Sequence, residues 1–451
     1  MSDRYDAVII GAGPAGRGAA GDLADAGLRV AACERELVGG ECPYWACIPS
    51  KALLRPPEAR ADARRAAGLG EPDQRFAEVA AYRDELTRHL DDSVPAQALE
   101  KKGVDLYRGV ARIVGPGRVE VGGQTLETER IIVSCGTVSN IPPIEGIEQA
   151  GYWTNREATT LSEIPESVVV LGGGPVGIEL SQMLRRFGAE VTLLQASEQL
   201  LPREDPRVGE LIADALGEEG VDVRTGARAV SVVREENGGR KVTLEDGGEV
   251  TGTQLLVAIG RRPRTDELGL ESAGIELGEH GEIPIDERCR AGDGVWALGD
   301  VTGTLPFTHV ASYQARVACA DILGRDARTD YAAIPRVVFS DPEIAAVGLS
   351  AGDARERGID VVTSRLDLVD SIARPITYEQ EPRGQELEVV ADRERGVLIG
   401  AWAVAPLAGE WIHQAAMAIK LRAPLDVLRD TVSQFPTYCE GFTNAVRALE
   451  V

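Results

Sequence analysis

Lysine and histidine are scarce in this chain of 451 residues, which has five lysines and four histidines against 43 arginines. A lysine in so arginine-rich a chain is a candidate for a role that needs a compact, tunable ammonium group. Acidic residues outnumber basic ones 72 to 48, which gives a formal net charge of −24. This charge argues against nucleic acid or an anionic membrane surface as a partner.

Long apolar runs are also missing. The least polar stretch, residues 396–409, is 14 residues long and contains Pro406, whereas a membrane span needs about 18 residues. At the start of the chain, residues 5–10 indicate a strand and not a signal peptide. We therefore expect a cytoplasmic, globular chain outside the membrane, with two to four domains at about 100–200 residues each.

The seven cysteines are mostly scattered and form no structural disulfide framework. Only Cys42 and Cys47 are close in sequence, and no other cysteine or histidine lies nearby to complete a zinc site, so no metal site is expected. On a regular helix their Cα atoms would be about 7.5 Å apart, and a disulfide needs about 4.4–6.8 Å. If the two cysteines bond, the segment must bend, and its glycines and prolines supply irregular backbone.

The two cysteines have features of a redox pair. A thiol near the start of a helix has a lowered pKa because it lies at the positive end of the helix dipole. Lys51 follows Cys47 by four residues, one helical turn. The alternative is a pair of buried or metal-binding cysteines.

One internal repeat stands out. The apolar run 7–10 leads into Gly-Ala-Gly-Pro-Ala-Gly, and the apolar run 168–171 leads into Gly-Gly-Gly-Pro-Val-Gly. Each copy continues into a helical stretch and a second strand, which is typical of a dinucleotide-binding βαβ unit with phosphates at the helix N-terminus. The predicted contacts are Gly11, Gly13, Pro14, Ala15 and Gly16 in the first copy and Gly172, Gly174, Pro175, Val176 and Gly177 in the second.

The residue that ends the second strand differs between the copies. Glu34 follows Gly11 by 23 residues, and a carboxylate there can accept both ribose hydroxyls of an adenosine. Gln195 holds the equivalent place in the second copy and carries no charge. No arginine follows until Arg203, so we expect a modest preference for NADH over NADPH.

These motifs together resemble the FAD-dependent pyridine nucleotide–disulfide oxidoreductases, the group of lipoamide dehydrogenase, glutathione reductase and mercuric reductase. The resemblance covers essentially the whole chain. It also rests on the Gly-Gly-x-Cys-x4-Cys-x-Pro-Ser-Lys segment and on the motifs at 258–263, 297–300 and 335–343. A Cys-x4-Cys pair in the first domain is similar to the lipoamide and glutathione class and differs from the Cys-x2-Cys pair of thioredoxin reductases.

The resemblance implies an α/β fold with two Rossmann-like domains, for FAD and NAD(P), and a C-terminal α/β dimerisation domain. We expect four segments: an FAD domain with the cysteine pair at 1–150, an NAD(P) domain at 151–262, a central domain at 263–334 and an interface domain at 335–451. It also implies a homodimer in which each active site takes residues from both chains.

The resemblance further assigns roles within an enzyme that passes reducing equivalents between NAD(P)H, FAD and a thiol or disulfide substrate, as dihydrolipoamide dehydrogenases do. Cys47 would face the flavin as the charge-transfer thiolate, and Cys42 would exchange with the substrate. Lys51, paired with Glu179, would lie near flavin N5. Glu34 and Asp300 would contact FAD, and Gln195 would contact the pyridine nucleotide. Further implied cofactor contacts are Gly40, Ala111, Gly136, Gly260, Gly299, Thr308 and His309.

One departure from the family concerns the catalytic base. Lipoamide dehydrogenases and glutathione reductases carry His-Pro-Thr and a following Glu near the C-terminus, where this chain has Phe435-Pro-Thr and Glu440. Mercuric reductases also have Phe-Pro there, but this chain lacks their C-terminal pair of adjacent cysteines. The missing histidine leaves open a diaphorase or quinone reductase, and a non-catalytic flavin-bearing subunit of a complex. It also leaves open a role for the lone thiol of Cys439.

Overall fold

The computed structural model describes residues 3–450. In chain order, the strands are β1 (Asp3–Tyr5), β2 (Ala7–Ile10), β3 (Val30–Glu34), β4 (Asp105–Arg108), β5 (Ala111–Gly115), β6 (Arg118–Val121), β7 (Gln124–Thr128), β8 (Ile131–Val133), β9 (Thr137–Ser139), β10 (Ser167–Leu171), β11 (Glu190–Leu194), β12 (Asp222–Arg224), β13 (Ala229–Arg234), β14 (Arg240–Leu244), β15 (Glu249–Gly252), β16 (Gln254–Val257), β17 (Arg261–Pro263), β18 (Arg290–Gly292), β19 (Val295–Ala297), β20 (Pro335–Val338), β21 (Glu343–Gly348), β22 (Val361–Asp367), β23 (Glu386–Asp392) and β24 (Val397–Ala405).

The α-helices are α1 (Pro14–Asp25), α2 (Glu41–Trp45), α3 (Cys47–Arg65), α4 (Phe76–Leu86), α5 (Ser93–Lys101), α6 (Ile147–Ala150), α7 (Asn155–Thr159), α8 (Pro175–Arg186), α9 (Pro206–Glu218), α10 (Thr308–Ile322), α11 (Ala351–Glu356), α12 (Leu368–Ser371), α13 (Arg374–Tyr378), α14 (Ala408–Trp411), α15 (His413–Leu421), α16 (Leu425–Asp430) and α17 (Tyr438–Arg447). Short 3₁₀ helices span Arg88–Leu90, Leu270–Ala273 and Gly299–Thr302.

The chain divides into two compact units, each built from several segments. Of the described residues, the first unit comprises 3–49, 81–140 and 260–330, and the second comprises 50–80, 141–259 and 331–450. The division falls within α3, after Pro49. The bounds of the four predicted domains stay a prediction.

A six-stranded sheet forms the centre of the first unit, in the order β18-β19-β8-β2-β3-β4. All pairings except β18 with β19 are parallel. Strands β2 and β3 are buried along their whole length, because a parallel sheet is covered on both faces. Ala7 and Ile9 pack in the core shared with α1 and α10, and Val8 and Ile10 pack in the core shared with β5, β6 and β7.

The second unit repeats this arrangement around the parallel sheet β12-β11-β10-β16. Val168 and Val170 pack in a core with α8 and α9, while Val169 and Leu171 pack in a core with the antiparallel sheet β13-β14-β15. The four apolar residues of β10, 168–171, therefore alternate between two cores, as those of β2 do.

Residues 335–450 have a different architecture. The antiparallel sheet β20-β21-β24-β23-β22 packs with α15 and α17 in one apolar core. The predicted α/β fold class, with two dinucleotide-binding folds and a further C-terminal α/β region, is confirmed. No helix within residues 3–450 combines the length and the apolar character that crossing a bilayer requires.

Candidate active site

The first glycine-rich turn connects β2 to α1. Gly11 has a φ of +97°, a conformation that L side chains rarely adopt. A Cβ added at Gly16 would lie 1.9 Å from the Gly11 carbonyl oxygen, so strand and helix approach more closely than any side chain allows. Both glycines are therefore required by the backbone of the turn.

Glu34 holds this turn in place. The carboxylate accepts hydrogen bonds from the backbone N–H of Ala12 and of Glu36, each at 2.8 Å. Since a carboxylate offers about four acceptor positions, two remain for ribose hydroxyls. The buried Glu34 can thus order the turn and also contact an adenosine.

The residues of this turn fit FAD. No side chain caps the N-terminus of α1, so its first-turn N–H groups are left for a ligand such as pyrophosphate. A Cβ at Gly13 would meet only the Gly40 Cα, at 3.9 Å, which leaves space above the turn. Pro14 begins the helix, and Ala15 and Gly16 are buried in its first turn.

Asp300 follows β19 in the same unit. Its carboxylate accepts a hydrogen bond from the Thr137 hydroxyl at 3.1 Å, and Arg261 donates to that hydroxyl at 2.8 Å. Burial raises the pKa of Asp300, against the opposing charge of Arg261. A partly desolvated carboxylate suits hydrogen bonding to the hydroxyls of a ligand. At Gly299 (φ +76°) a Cβ would lie 3.2 Å from that of Ala311 in α10.

The cysteine segment bends as the spacing requires. Helix α2 ends at Trp45, and Ala46 (φ −132°, ψ −100°) separates it from α3, which begins at Cys47. The helix is thus broken between Cys42 and Cys47. Because Cys47 occupies the first position of a 19-residue helix, its sulfur lies at the positive end of the helix dipole.

Both sulfurs are thiols in this structure. The hydrogen bond between Cys42 and Cys47, together with burial, raises the pKa of Cys42 far above its usual range. The position of Cys47 at the start of α3 is the feature that favours negative charge on its sulfur. The Thr308 hydroxyl, at the N-terminus of α10, lies 3.5 Å from Cys47 Sγ.

Lys51 and Glu179 form an ion pair in the second unit, with Nζ and Oε2 2.7 Å apart. Glu179 is buried in α8, and its other carboxylate oxygen accepts the Phe339 N–H at 2.9 Å. Lys51 Nζ also lies 4.5 Å from the centroid of the Phe339 ring. The structure therefore brings together two residues predicted from separate motifs and adds Phe339.

The second glycine-rich turn repeats the first. Gly172 has a φ of +109°, and a Cβ at Gly177 would lie 1.8 Å from the Gly172 oxygen. No side chain caps α8, and a Cβ at Gly174 would meet nothing within 4 Å, so this turn fits a second dinucleotide. Pro175 and Val176 begin the helix, and Val176 is exposed.

Gln195 is fixed by its neighbours. Its Oε1 accepts the Gly173 N–H at 2.7 Å, and its Nε2 donates to the Ser197 hydroxyl. Its backbone N–H donates to the carbonyl of Arg224, whose guanidinium is bound by Asp222 at 2.7 and 3.0 Å. Arg224, the arginine next to Gln195, is therefore already paired with Asp222.

Phe435 and Glu440 lie at the start of the C-terminal helix region. The Phe435 side chain is 73% exposed, and Glu440 is in the first turn of α17. Glu440 Oε2 is buried and has no hydrogen-bond partner among residues 3–450. The exposed ring thus occupies the sequence position of the missing histidine.

The other predicted contacts are dispersed over the first unit. Ala111 begins β5 and is buried, while Gly136 (φ +68°) and Gly260 (φ +111°) lie in left-handed turns. A Cβ at Gly40 would lie 2.8 Å from the Gly13 Cα, so these two glycine segments touch. His309 stacks on Phe307, with the ring centroids 5.2 Å apart.

Sequence reasoning missed Phe339, Thr137 and Gln182, whose side-chain amide forms two hydrogen bonds with the backbone of Asp341. Phe339 lies within the motif at 335–343, which predicts no role for it, and Thr137 and Gln182 stand in segments without a motif. Their contacts are with residues far away in the sequence, which a motif cannot reveal.

The sequence matches two known protein-family domains. Residues 5–315 match the pyridine nucleotide-disulphide oxidoreductase family. The chain belongs to this family. Residues 334–446 match the dimerisation domain of pyridine nucleotide-disulphide oxidoreductases. The predicted family and enzyme class are confirmed: the chain is a flavoprotein of the FAD- and NAD(P)-dependent disulfide oxidoreductases.

Individual members support the assignment over the full length. A dihydrolipoyl dehydrogenase of Thermus scotoductus is 37% identical to this chain, in an alignment that covers 99% of this chain and 97% of the dehydrogenase. A mercuric reductase of Lysinibacillus sphaericus is 35% identical, in an alignment that covers 97% of this chain and 81% of the reductase. The structure of the HOCl-induced flavoprotein disulfide reductase RclA of Escherichia coli superposes on this chain with a TM-score of 0.87 at 30% identity. The superposition covers 98% of this chain and 100% of RclA.

Proposed function

We propose that this oxidoreductase acts on a small or protein-bound dithiol or disulfide, in the manner of a dihydrolipoamide dehydrogenase, through Cys42 and Cys47. The observation that carries the proposal is the pair itself: two hydrogen-bonded thiols at a break between two helices, one of them at a helix N-terminus. When bound, FAD would take a hydride from NAD(P)H and pass an electron pair to the oxidised cysteine pair.

The two thiols have different tasks in the direction that reduces a disulfide. The Cys42 sulfur attacks the external disulfide, forms a mixed disulfide and releases the first substrate thiol, which takes up the proton that Cys42 gives up. Cys47, as the thiolate, then attacks the Cys42 sulfur. The second substrate thiolate leaves and the Cys42–Cys47 disulfide forms. The position of Cys47 at the N-terminus of α3 supports this division, because the positive end of the helix dipole favours its thiolate.

Lys51 would stabilise the negative charge that develops on a reduced flavin. Glu179 and Phe339 hold the ammonium by an ion pair of 2.7 Å and a ring contact of 4.5 Å. A fixed positive charge needs no reorganisation when electrons arrive. Lys51 lies one helical turn after Cys47 in α3.

The thiol–disulfide exchange lacks the histidine that serves as the base in lipoamide dehydrogenases, because Phe435 stands in its place. Phe435 has no acidic proton and no lone pair, so the substrate thiol must lose its proton to solvent or to Glu440. A substrate thiol with a pKa of about 8.5 is mostly protonated at neutral pH. We therefore expect slow exchange at neutral pH and faster exchange in alkali.

We propose NADH as the modestly preferred coenzyme. Gln195 offers neither the repulsion of an acid nor the clamp of an arginine towards a 2′-phosphate. The neighbouring Arg224 is paired with Asp222, which supports this choice.

A cytoplasmic homodimer is the assembly that we propose, with the four domain bounds given above. The C-terminal region exposes large apolar side chains, which mark an interaction surface: Met417, Leu421, Val427, Val432 and Phe435. Pairing with a second copy would cover them.

The test compares two reactions of the purified enzyme and its variants. Dihydrolipoamide-dependent reduction of NAD⁺ that is lost in Cys42→Ser supports the proposal. Cys319→Ser is the matched control, because its buried hydroxyl can still donate to the Ala19 carbonyl as the thiol does. Quinone-dependent oxidation of NADH that persists in Cys42→Ser, with no dithiol activity, would favour the diaphorase. No turnover with either would favour the non-catalytic subunit.

A further inference from the structure

Phe339 contacts both members of the Lys51–Glu179 pair. Its backbone N–H donates to Glu179 Oε1 at 2.9 Å, and its ring centroid lies 4.5 Å from Lys51 Nζ. A single residue therefore fixes the second carboxylate oxygen and presents an aromatic ring to the ammonium.

Phe339 is only partly buried. It is 41% exposed, whereas the preceding Val338 is buried in a core with Ile344. The ring is therefore accessible to a cation, and Lys51 Nζ lies next to it. Cations bind ring faces within about 6 Å of the centroid.

The turn that carries Phe339 is held by α8. Gln182 uses both ends of its amide: its Oε1 accepts the Asp341 N–H at 2.8 Å, and its Nε2 donates to the Asp341 carbonyl at 2.7 Å. Glu179 and Gln182 are three residues apart on α8 and so share a face. One helix face thus binds residues 339 and 341 at once.

The side chain of Asp341 anchors the same turn to two helices. It binds Arg186 of α8 at 2.7 Å and Arg65 of α3 at 2.9 Å. Burial would raise the pKa of Asp341, but the charges of Arg186 and Arg65 lower it. The carboxylate therefore stays ionised and paired, and the turn has little freedom to move.

We infer that Phe339 is a positioning residue for Lys51: its ring and its N–H hold the Lys51–Glu179 pair in one geometry, and Gln182 and Asp341 hold Phe339. The inference rests on the role proposed above for Lys51. It predicts that removing the ring, with the apolar volume kept, loosens the ammonium and weakens its effect on the flavin.

The contact itself can be observed without any flavin chemistry. Reductive methylation with ¹³C-formaldehyde labels lysines and keeps their charge, and with five lysines in the chain few signals result. Comparison with Lys51→Arg assigns the Lys51 signal. A ring above the ammonium should shift that signal upfield in wild type and in Phe339→Tyr. In Phe339→Leu it should move to the range of the other four.

The functional consequence is read from the flavin midpoint potential and from the rate of flavin reduction by NADH. We expect Phe339→Leu to lower the potential and to slow reduction by about three- to tenfold, with Phe339→Tyr near wild type. Tyr378→Leu is the matched control, because it removes a ring 4.9 Å from Arg374 in the same unit. That control should leave the potential and the Lys51 signal unchanged. Phe339→Met replaces the leucine variant if the latter does not fold.

Three results would decide against the inference or its premise. An unshifted Lys51 signal in wild type would overturn the contact, and an unchanged potential in Phe339→Leu would overturn the positioning role. If the signal behaves as expected but Lys51→Ala reduces its flavin at the wild-type rate, the proposed role of Lys51 fails instead.

Discussion

Glu34 and Gln195 accept the same hydrogen bond in the two halves of the repeat. Glu34 Oε2 accepts the Ala12 N–H at 2.8 Å, and Gln195 Oε1 accepts the Gly173 N–H at 2.7 Å, each from the residue after the first glycine. Each glycine-rich turn needs only a side-chain oxygen that accepts this N–H, whether from a carboxylate or an amide. The charge on that oxygen is therefore free to differ and can select the nucleotide.

Coenzyme preference should follow the charge at residue 195. Wild type is expected to favour NADH by less than about tenfold, or ~1.4 kcal/mol. Gln195→Glu keeps the acceptor for Gly173 but adds a negative charge that repels a 2′-phosphate. We expect kcat/KM for NADPH to fall at least about tenfold and that for NADH to change by less than about threefold.

Steady-state kinetics with both coenzymes measure this effect, with Gln199→Glu as a control that adds the same charge four residues further on. A wild-type preference for NADPH above about tenfold would show that Arg203 or another base reaches the phosphate.

Lys51→Ala should retain FAD but reduce it more slowly, because a nearby positive charge no longer stabilises the reduced ring. We expect a loss of about tenfold or more in stopped-flow reduction by NADH. Lys241→Ala is the matched control, since it breaks a lysine–carboxylate pair with Glu249 in the same unit, at 3.0 Å. Equal rates in Lys51→Ala and wild type would refute the assignment.

Dithiol activity should rise with pH toward the substrate thiol pKa, with no plateau near neutrality, because the exposed Phe435 cannot take a proton. Phe435→His should raise the rate at pH 7 by about 10–100-fold if Glu440 can orient the ring, since general-base assistance is worth about 10²–10⁴-fold at its best. Initial rates with dihydrolipoamide between pH 6 and 9 measure both. A wild-type plateau near pH 7 would mean that another group supplies the base.

Glu343 should make stability depend on pH. Burial, with repulsion from Glu58, Glu410 and Asp341, raises the pKa of Glu343 from 4.5 to about 7, although its carboxylate accepts the Gly409 N–H. An acid whose pKa is raised by folding stabilises the protein fully below its unfolded pKa and loses that contribution as pH rises through the folded value. Wild type therefore loses stability between about pH 4.5 and pH 7.

The variant Glu343→Gln keeps an acceptor for Gly409 and cannot ionise. We expect it to match wild type near pH 5 and to be more stable by about 1–3 kcal/mol at pH 8. Thermal unfolding at the two pH values measures this, with the exposed Glu249→Gln as control. A variant that is less stable than wild type at pH 8 would show that Glu343 is stabilising as a carboxylate.

The repeat and the cysteine segment could be read from sequence because their chemistry is local. Each turn spans six residues and requires two glycines: Gly11 and Gly16 in the first, Gly172 and Gly177 in the second. The break at Ala46 could be expected because two cysteines five residues apart on a regular helix are too far apart to form a disulfide. Local backbone rules are sufficient for such features.

The support of the Lys51–Glu179 pair could not be read in the same way. Gln182 and Asp341 are 159 residues apart, and Phe339 reaches Glu179 across 160 residues. Nothing in the residue types marks these contacts, because a buried glutamine or a partly exposed phenylalanine after a strand is ordinary in any protein. Only the packing of α8 against the turn 339–341 gives them a role.

The most direct test of the account is anaerobic reduction of the protein with one equivalent of NADH, followed by visible absorption. If Cys47 carries the negative charge beside the flavin, wild type develops a long-wavelength thiolate-to-flavin band. Cys42→Ser should show that band before any reduction, and Cys47→Ser should never show it. A band in Cys47→Ser, or none in wild type and Cys42→Ser, would contradict the assignment of the two thiols.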